Sequence, residues 1–145
     1  MKNLNGLLNF VKLTNDFKKN ERDIPQSSSF IRENDAEHSY QLAMVSWYLA
    51  SIENKSLNLE KILKYALVHD LPEVYASDTP LYTSNYGYLK SEKEREINSI
   101  FKIQNEFTNF SDLRLYIEKY EKLEDEESQL VYALDKILPL MSIFL

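Results

Sequence analysis

Only two of the 145 residues are glycine and four are proline. Tight turns draw on both, and sheets or barrels built from many hairpins need more of them. A chain so poor in either favours long helices joined by a few loops. Its length suits one domain. At that size roughly 68–70% of the unfolded surface is buried, enough for a core without staples. Cysteine is absent. That removes a disulfide framework, a zinc ribbon and a cysteine nucleophile together, and it fits a reducing cytoplasm.

Hydrophobic spacing places the helices. Leu4, Leu7, Leu8, Val11 and Phe17 recur with helical period, which predicts an amphipathic helix over 3–19. A charged stretch from Lys18 to Arg22 ends it, and Ile24 to Ser29 reads as a loop. Asn34 or Asp35 caps a helix running to about Asn54, with Leu42, Val45 and Leu49 on its apolar side. Asn58 caps another, with Ile62, Ala66 and Val68 toward a core. Pro72 interrupts it just after Asp70 and is best tolerated in the first turn of a new short helix. Residues 78–89, with Pro80, Gly87 and three tyrosines, form the longest expected loop. Helices then cover 90–107, 111–122 and 125–145, the last opened favourably by the acidic run Glu124 to Glu127. No internal repeat or low-complexity tract divides the chain.

The formal net charge is −6 and no basic patch is visible, which argues against nucleic acid as a partner. Small anionic substrates stay open where a cation or an arginine offsets the field. No run of about 20 apolar residues predicts a membrane span, and the polar N-terminus lacks a signal-peptide core.

Against this background a few polar residues stand on apolar stripes. His38 shares its helix face with Leu42, Val45 and Leu49. His69 shares one with Ile62 and Ala66 and is followed at once by Asp70. Asp135 lies one turn from Val131 and Leu138. Each has a plain explanation alone: an inward histidine bonded to a backbone carbonyl, or an aspartate in a salt bridge or at an exposed helix edge. Together the set acquires a common one. Two neutral imidazoles and two carboxylates make a good shell for a divalent transition metal such as manganese, cobalt, nickel, iron or zinc. Ser39 has no second histidine to serve as its base, so a serine triad is not expected.

The motifs Glu37-His38-Ser39, then Tyr65-Ala66-Leu67-Val68-His69-Asp70-Leu71-Pro72-Glu73 onward to Asp78-Thr79, then Tyr132-Ala133-Leu134-Asp135-Lys136, resemble the HD-domain metal-dependent phosphohydrolases. The nearest likeness is to the 5′-deoxynucleotidase-like branch, from about Arg32 to the C-terminus. The ordered set H…HD…E…D…D is specific, whereas a lone His-Asp pair means little. The resemblance implies a single all-α HD-type bundle with the metal site in its interior. It implies His38, His69, Asp70 and Asp135 as metal ligands, and Glu73 and Asp78 as active-site carboxylates. It implies a nucleotide substrate, deoxyribonucleoside 5′-monophosphates first, and a homodimer.

Glu73 is expected to orient water or move its proton, and Asp78 to accept a hydrogen bond from the sugar hydroxyl. The alternatives are a solvated carboxylate at a helix start for Glu73 and ordinary Asp-Thr-Pro loop chemistry for Asp78. The branch carries an arginine upstream of its first ligand histidine. Arg22 and Arg32 are the candidates to grip phosphate bidentately, with Arg22 preferred, and a surface ion pair is the alternative for either. Tyr82, Tyr86 and Tyr88 could stack a base or close a lid, or simply anchor the long loop. Two departures stand out. Pro72 sits between the His-Asp pair and Glu73, and the chain stops at Leu145, about three turns after Asp135, on an apolar tail. A shortened form, or a partner covering that tail, is the expectation.

Overall fold

The computed structural model describes residues 4–25, 32–53, 56–76 and 86–143. In chain order they form α1 (Leu4–Phe17), β1 (Glu21–Pro25), β2 (Arg32–Asn34), α2 (Asp35–Ile52), α3 (Leu59–Val68), α4 (Glu73–Ala76), α5 (Tyr86–Glu106), α6 (Ser111–Lys122) and α7 (Glu126–Ile143). The all-α expectation holds, apart from one small antiparallel ribbon in which Glu21 pairs with Asn34 and Pro25 with Arg32.

The helix boundaries follow local chemistry. Asn34 is the N-cap of α2, accepting from the N–H groups of Ala36 and Glu37, while the Glu37 side chain accepts from the Asn34 N–H. Asn58 caps α3 by accepting from Lys61 N–H. Helix α6 ends on Leu123 in the left-handed conformation, φ 48° and ψ 48°. Glycine usually takes that position; this glycine-poor chain makes the turn without one. The short helix after Pro72 is present as α4.

Three expectations need correction. Ile24 and Pro25 stand on β1, not in a loop, because the chain from Glu21 to Pro25 pairs with Arg32–Asn34 across an irregular ladder. Residues 86–89, expected as loop, open α5. The face assigned to α1 needs revising in part: Phe17 is buried as expected, but Leu4, Leu7, Leu8 and Val11 are 45–55% exposed and Leu13 is buried. Phe10 meets Phe107 and Phe110 edge to face, with ring centroids 5.4 and 5.6 Å away. The aromatic docking of α1 therefore turns Leu4, Leu7 and Leu8 outward and Leu13 inward.

Two apolar clusters flank α3. One joins Leu42, Ile62, Tyr65, Ala66, Val131, Leu134 and Leu138 from α2, α3 and α7. The other gathers Leu13, Phe17, Val68, Ile103, Phe107 and Ile117 from α1, α3, α5 and α6. Burying one such aliphatic side chain contributes about 1.5–3 kcal/mol. His69 follows Val68 directly, so it stands at the seam between the clusters. No helix among the described residues is long and apolar enough to cross a membrane.

Candidate metal centre

Helical geometry delivers the candidate ligands from three directions. His38 lies one turn before Leu42 on α2, and both are buried. His69 caps the C-terminus of α3, and Asp70 opens the turn that follows. Asp135 comes from α7, between the buried Val131 and Leu138. One donor atom from each of His38, His69, Asp70 and Asp135 lies within 4.8 Å of the others. Residues 97 positions apart thus meet: His38 Nε2 is 2.8 Å from Asp135 Oδ1.

His69 carries the sharpest signal. Its Nδ1 is 2.9 Å from the Ala66 carbonyl, which accepts from it and leaves Nε2 as the free donor atom of a neutral ring. That Nε2 is buried and makes no hydrogen bond. It lies 3.0 Å from Asp70 Oδ2 and 3.7 Å from Asp135 Oδ1, off hydrogen-bonding geometry. An orphaned buried nitrogen beside two carboxylates is costly unless something else fills the gap. A divalent cation fits the donor set of two imidazoles and two carboxylates. The residues present therefore suit the metal.

The electrostatics are those of a cation site. Burial works against ionisation of Asp135, but the His38 and Lys136 side chains outweigh it and hold the carboxyl far below the usual range. Lys136 Nζ donates to Asp135 Oδ2 at 2.7 Å. Burial likewise raises Asp70, while His69 and Arg22 bring it below its ordinary value. Both aspartates stay ionised, ready to ligate. Burial disfavours the His69 imidazolium, yet Asp70 and Asp135 outweigh that and raise the ring's pKa. Metal binding would displace that proton.

Arg22, on β1, reaches the same cluster. Its guanidinium donates to Asp70, and it lies 3.8 Å from Asp35 Oδ1 and 3.7 Å from Asp135 Oδ1. Arg32, on β2, is exposed. Glu73 opens α4; its N–H donates to the Asp70 carbonyl at 2.9 Å, and its side chain is exposed. Asp78 and Tyr82 lie outside the described residues, and Tyr86 and Tyr88 belong to the first turn of α5.

Several neighbours escaped sequence reasoning. Glu33 Oε2 is 3.4 Å from His38 Nδ1. Asp35 is buried, and desolvation and the Asp70 charge push it up to about 6 against the opposing pull of Arg22. Tyr120 of α6 sets its ring 6.0 Å from His69; burial and the charges of Asp135 and Asp70 keep its phenol protonated. Spacing could have flagged Asp35, three residues before His38 on the same helix face. Nothing in the sequence flagged Tyr120.

A family model described as the HD domain matches residues 14–145. A 5′-deoxynucleotidase from Vibrio vulnificus is 32% identical over 123 residues, covering 78% of this chain and 62% of that protein. The 5′-deoxynucleotidase YfbR of Shigella boydii is 36% identical over 83 residues, 54% of this chain and 40% of that protein. The chain thus spans under two thirds of the length of these relatives. A crystal structure from Magnetospirillum magnetotacticum, described as a predicted metal-dependent phosphohydrolase, superposes with a TM-score of 0.79 at 25% identity. It covers 96% of this chain and 69% of that one. The ordered motif, the convergent imidazoles and carboxylates and the family match agree: this chain belongs to the HD-domain family.

Proposed function

We propose that this protein is a metal-dependent phosphohydrolase that releases phosphate from deoxyribonucleoside 5′-monophosphates in the cytoplasm. The observation that carries the reading is the convergence of His38, His69, Asp70 and Asp135, with the buried His69 Nε2 beside two carboxylates yet making no hydrogen bond. The names of the curated relatives support the substrate class.

His38, His69, Asp70 and Asp135 hold one divalent transition-metal ion. Such an ion supplies positive charge for a phosphoryl oxygen and acidifies water toward neutral pH. Ala66 fixes the His69 ring through Nδ1, so Nε2 keeps its aim. Glu73, three residues beyond Asp70, orients the attacking water and takes its proton. Arg22, not Arg32, grips the phosphate; its contact with the metal-site carboxylates supports that choice. Asp78 accepts a hydrogen bond from the sugar hydroxyl.

The protein acts as a homodimer. The exposed stripe of Tyr40, Met44, Trp47 and Tyr48 along α2, 44–69% accessible, supports a second copy as its cover. Sedimentation at micromolar concentration should give twice the monomer mass.

The decisive test loads the protein with manganese or cobalt, measures bound metal, and follows phosphate release from nucleoside mono-, di- and triphosphates. Metal-dependent release confined to deoxymonophosphates is expected. Release confined to triphosphates or guanosine alarmones would move the protein to another HD hydrolase class. Bound metal with no turnover on any nucleotide would leave a binding module.

A further inference from the structure

We infer that Asp35 is a positioning residue that anchors Arg22 at the mouth of the metal centre. The inference rests on the reading of Arg22 as the phosphate grip. Asp35 is 5% exposed, and an acid so buried needs a reason to be there. Helix capping does not provide one, since Asn34 already takes the N–H groups of Ala36 and Glu37. Asp35 faces Arg22, with Nη1 3.8 Å from its Oδ1, and the Asn20 side chain also lies against its carboxyl. Its backbone adds a second tie: the Asp35 N–H donates to the Asn20 carbonyl at 3.1 Å, two residues before Arg22. The start of α2 is thereby fixed to the start of β1, the strand that carries the arginine.

The guanidinium is shared among three carboxylates, Asp35, Asp70 and Asp135. Two of them belong to the metal-ligand set and the third does not. A cation bound to Asp70 and Asp135 neutralises much of their attraction for a neighbouring guanidinium. Asp35, outside the candidate ligand set, has no bound cation competing with Arg22 in the loaded protein. It therefore holds the arginine beside the site when the other two acids release it, with donors left over for an anion.

The test compares Asp35→Asn, Asp35→Glu, Arg22→Ala and the Asp35→Asn/Arg22→Ala double variant of the full chain, each loaded with manganese. Two quantities are read: KM against kcat for a deoxyribonucleoside 5′-monophosphate, and calorimetric binding of inorganic phosphate. Asp35→Asn should raise KM and weaken phosphate binding by about tenfold, with kcat changed less than about threefold and bound metal unchanged. Asp35→Glu, which keeps the charge, should recover part of the loss. The double variant should match Arg22→Ala within about twofold, because the two residues act as one unit. If Arg22→Ala impairs phosphate binding while Asp35→Asn and Asp35→Glu do not, the anchoring role is wrong and the Arg22 reading stands. If Arg22→Ala itself binds phosphate normally, the Arg22 reading fails and the anchor with it. Should Asp35→Asn not fold, wild-type phosphate binding by Asp35→Glu and Asp35→Ser together would overturn the anchor.

Discussion

Two polar clusters sit in this helical bundle, about 15 Å apart along α7 at 1.5 Å per residue, and they are built on opposite principles. Around Asp125 every acceptor has its own donor. Asp125 Oδ2 accepts from Lys61 at 3.0 Å and Tyr65 at 2.9 Å, and Oδ1 accepts from Ser128 N–H at 3.0 Å. Glu127 accepts from Asn58 N–H at 2.9 Å. These bonds tie the start of α3 to the start of α7. Around Asp135 the acids Asp35, Asp70 and Asp135 crowd onto Arg22 and Lys136 while a buried imidazole nitrogen goes unbonded. A satisfied network stabilises a fold; a convergent, under-satisfied one is organised for something that binds.

The contrast is breakable, beginning with its largest expected effect. Asp135→Ala removes a ligand and should cost most bound metal and turnover by about 10³-fold or more, read by metal analysis and phosphate release. Retained stoichiometric metal would show that Asp135 is no ligand. Next, Glu73→Gln should keep its metal but lose about 10²–10⁴-fold in kcat, the ordinary contribution of a general base; full activity would discard its role with water.

At the other cluster Asp125→Ala should leave metal affinity unchanged and lower unfolding stability by about 2–3 kcal/mol, since Tyr65 is fully buried and its hydroxyl loses its acceptor. Loss of metal in that variant would erase the distinction between the clusters. The smallest effect is on acid stability. Burial raises the Asp125 carboxyl, but Ser128, Lys61 and Tyr65 outweigh it and bring it down to about 2 from an ordinary 3.8. A depressed folded-state pKa contributes stability that is complete above the unfolded value and fades as pH falls toward the folded one. About 2 kcal/mol should therefore disappear between roughly pH 4 and pH 2. In Asp125→Asn that portion of the acid-unfolding slope, followed by circular dichroism, should be absent.

How legible each cluster was in the sequence differs as well. The acidic run at 124–127 read as a helix start, and Asp125 does cap α7 through Ser128. Nothing local showed that Tyr65 and Lys61, some sixty positions away, would complete it. His38, His69 and Asp135 were visible because period 3.6 set them on apolar stripes. Asp70 was visible through its place in the His-Asp motif. Arg22 and Asp35 were not distinguishable as partners, because their meeting depends on a ribbon of five and three residues. Those strands, ERDIP and REN, carry no alternating pattern to announce themselves.

Composition and periodicity alone determined an all-helical chain, most of its helix boundaries and the inward set of imidazoles and carboxylates. Those properties are local: they follow from glycine and proline scarcity, from caps and from which residues share a turn. Tertiary structure decided which face of α1 is buried, that β1 delivers Arg22 to the cluster of acids, and that the buried His69 Nε2 makes no hydrogen bond. Such outcomes depend on packing between segments distant in the chain. Apolar residues on more than one face of a helix satisfy the same period, and only the docked neighbours select among them.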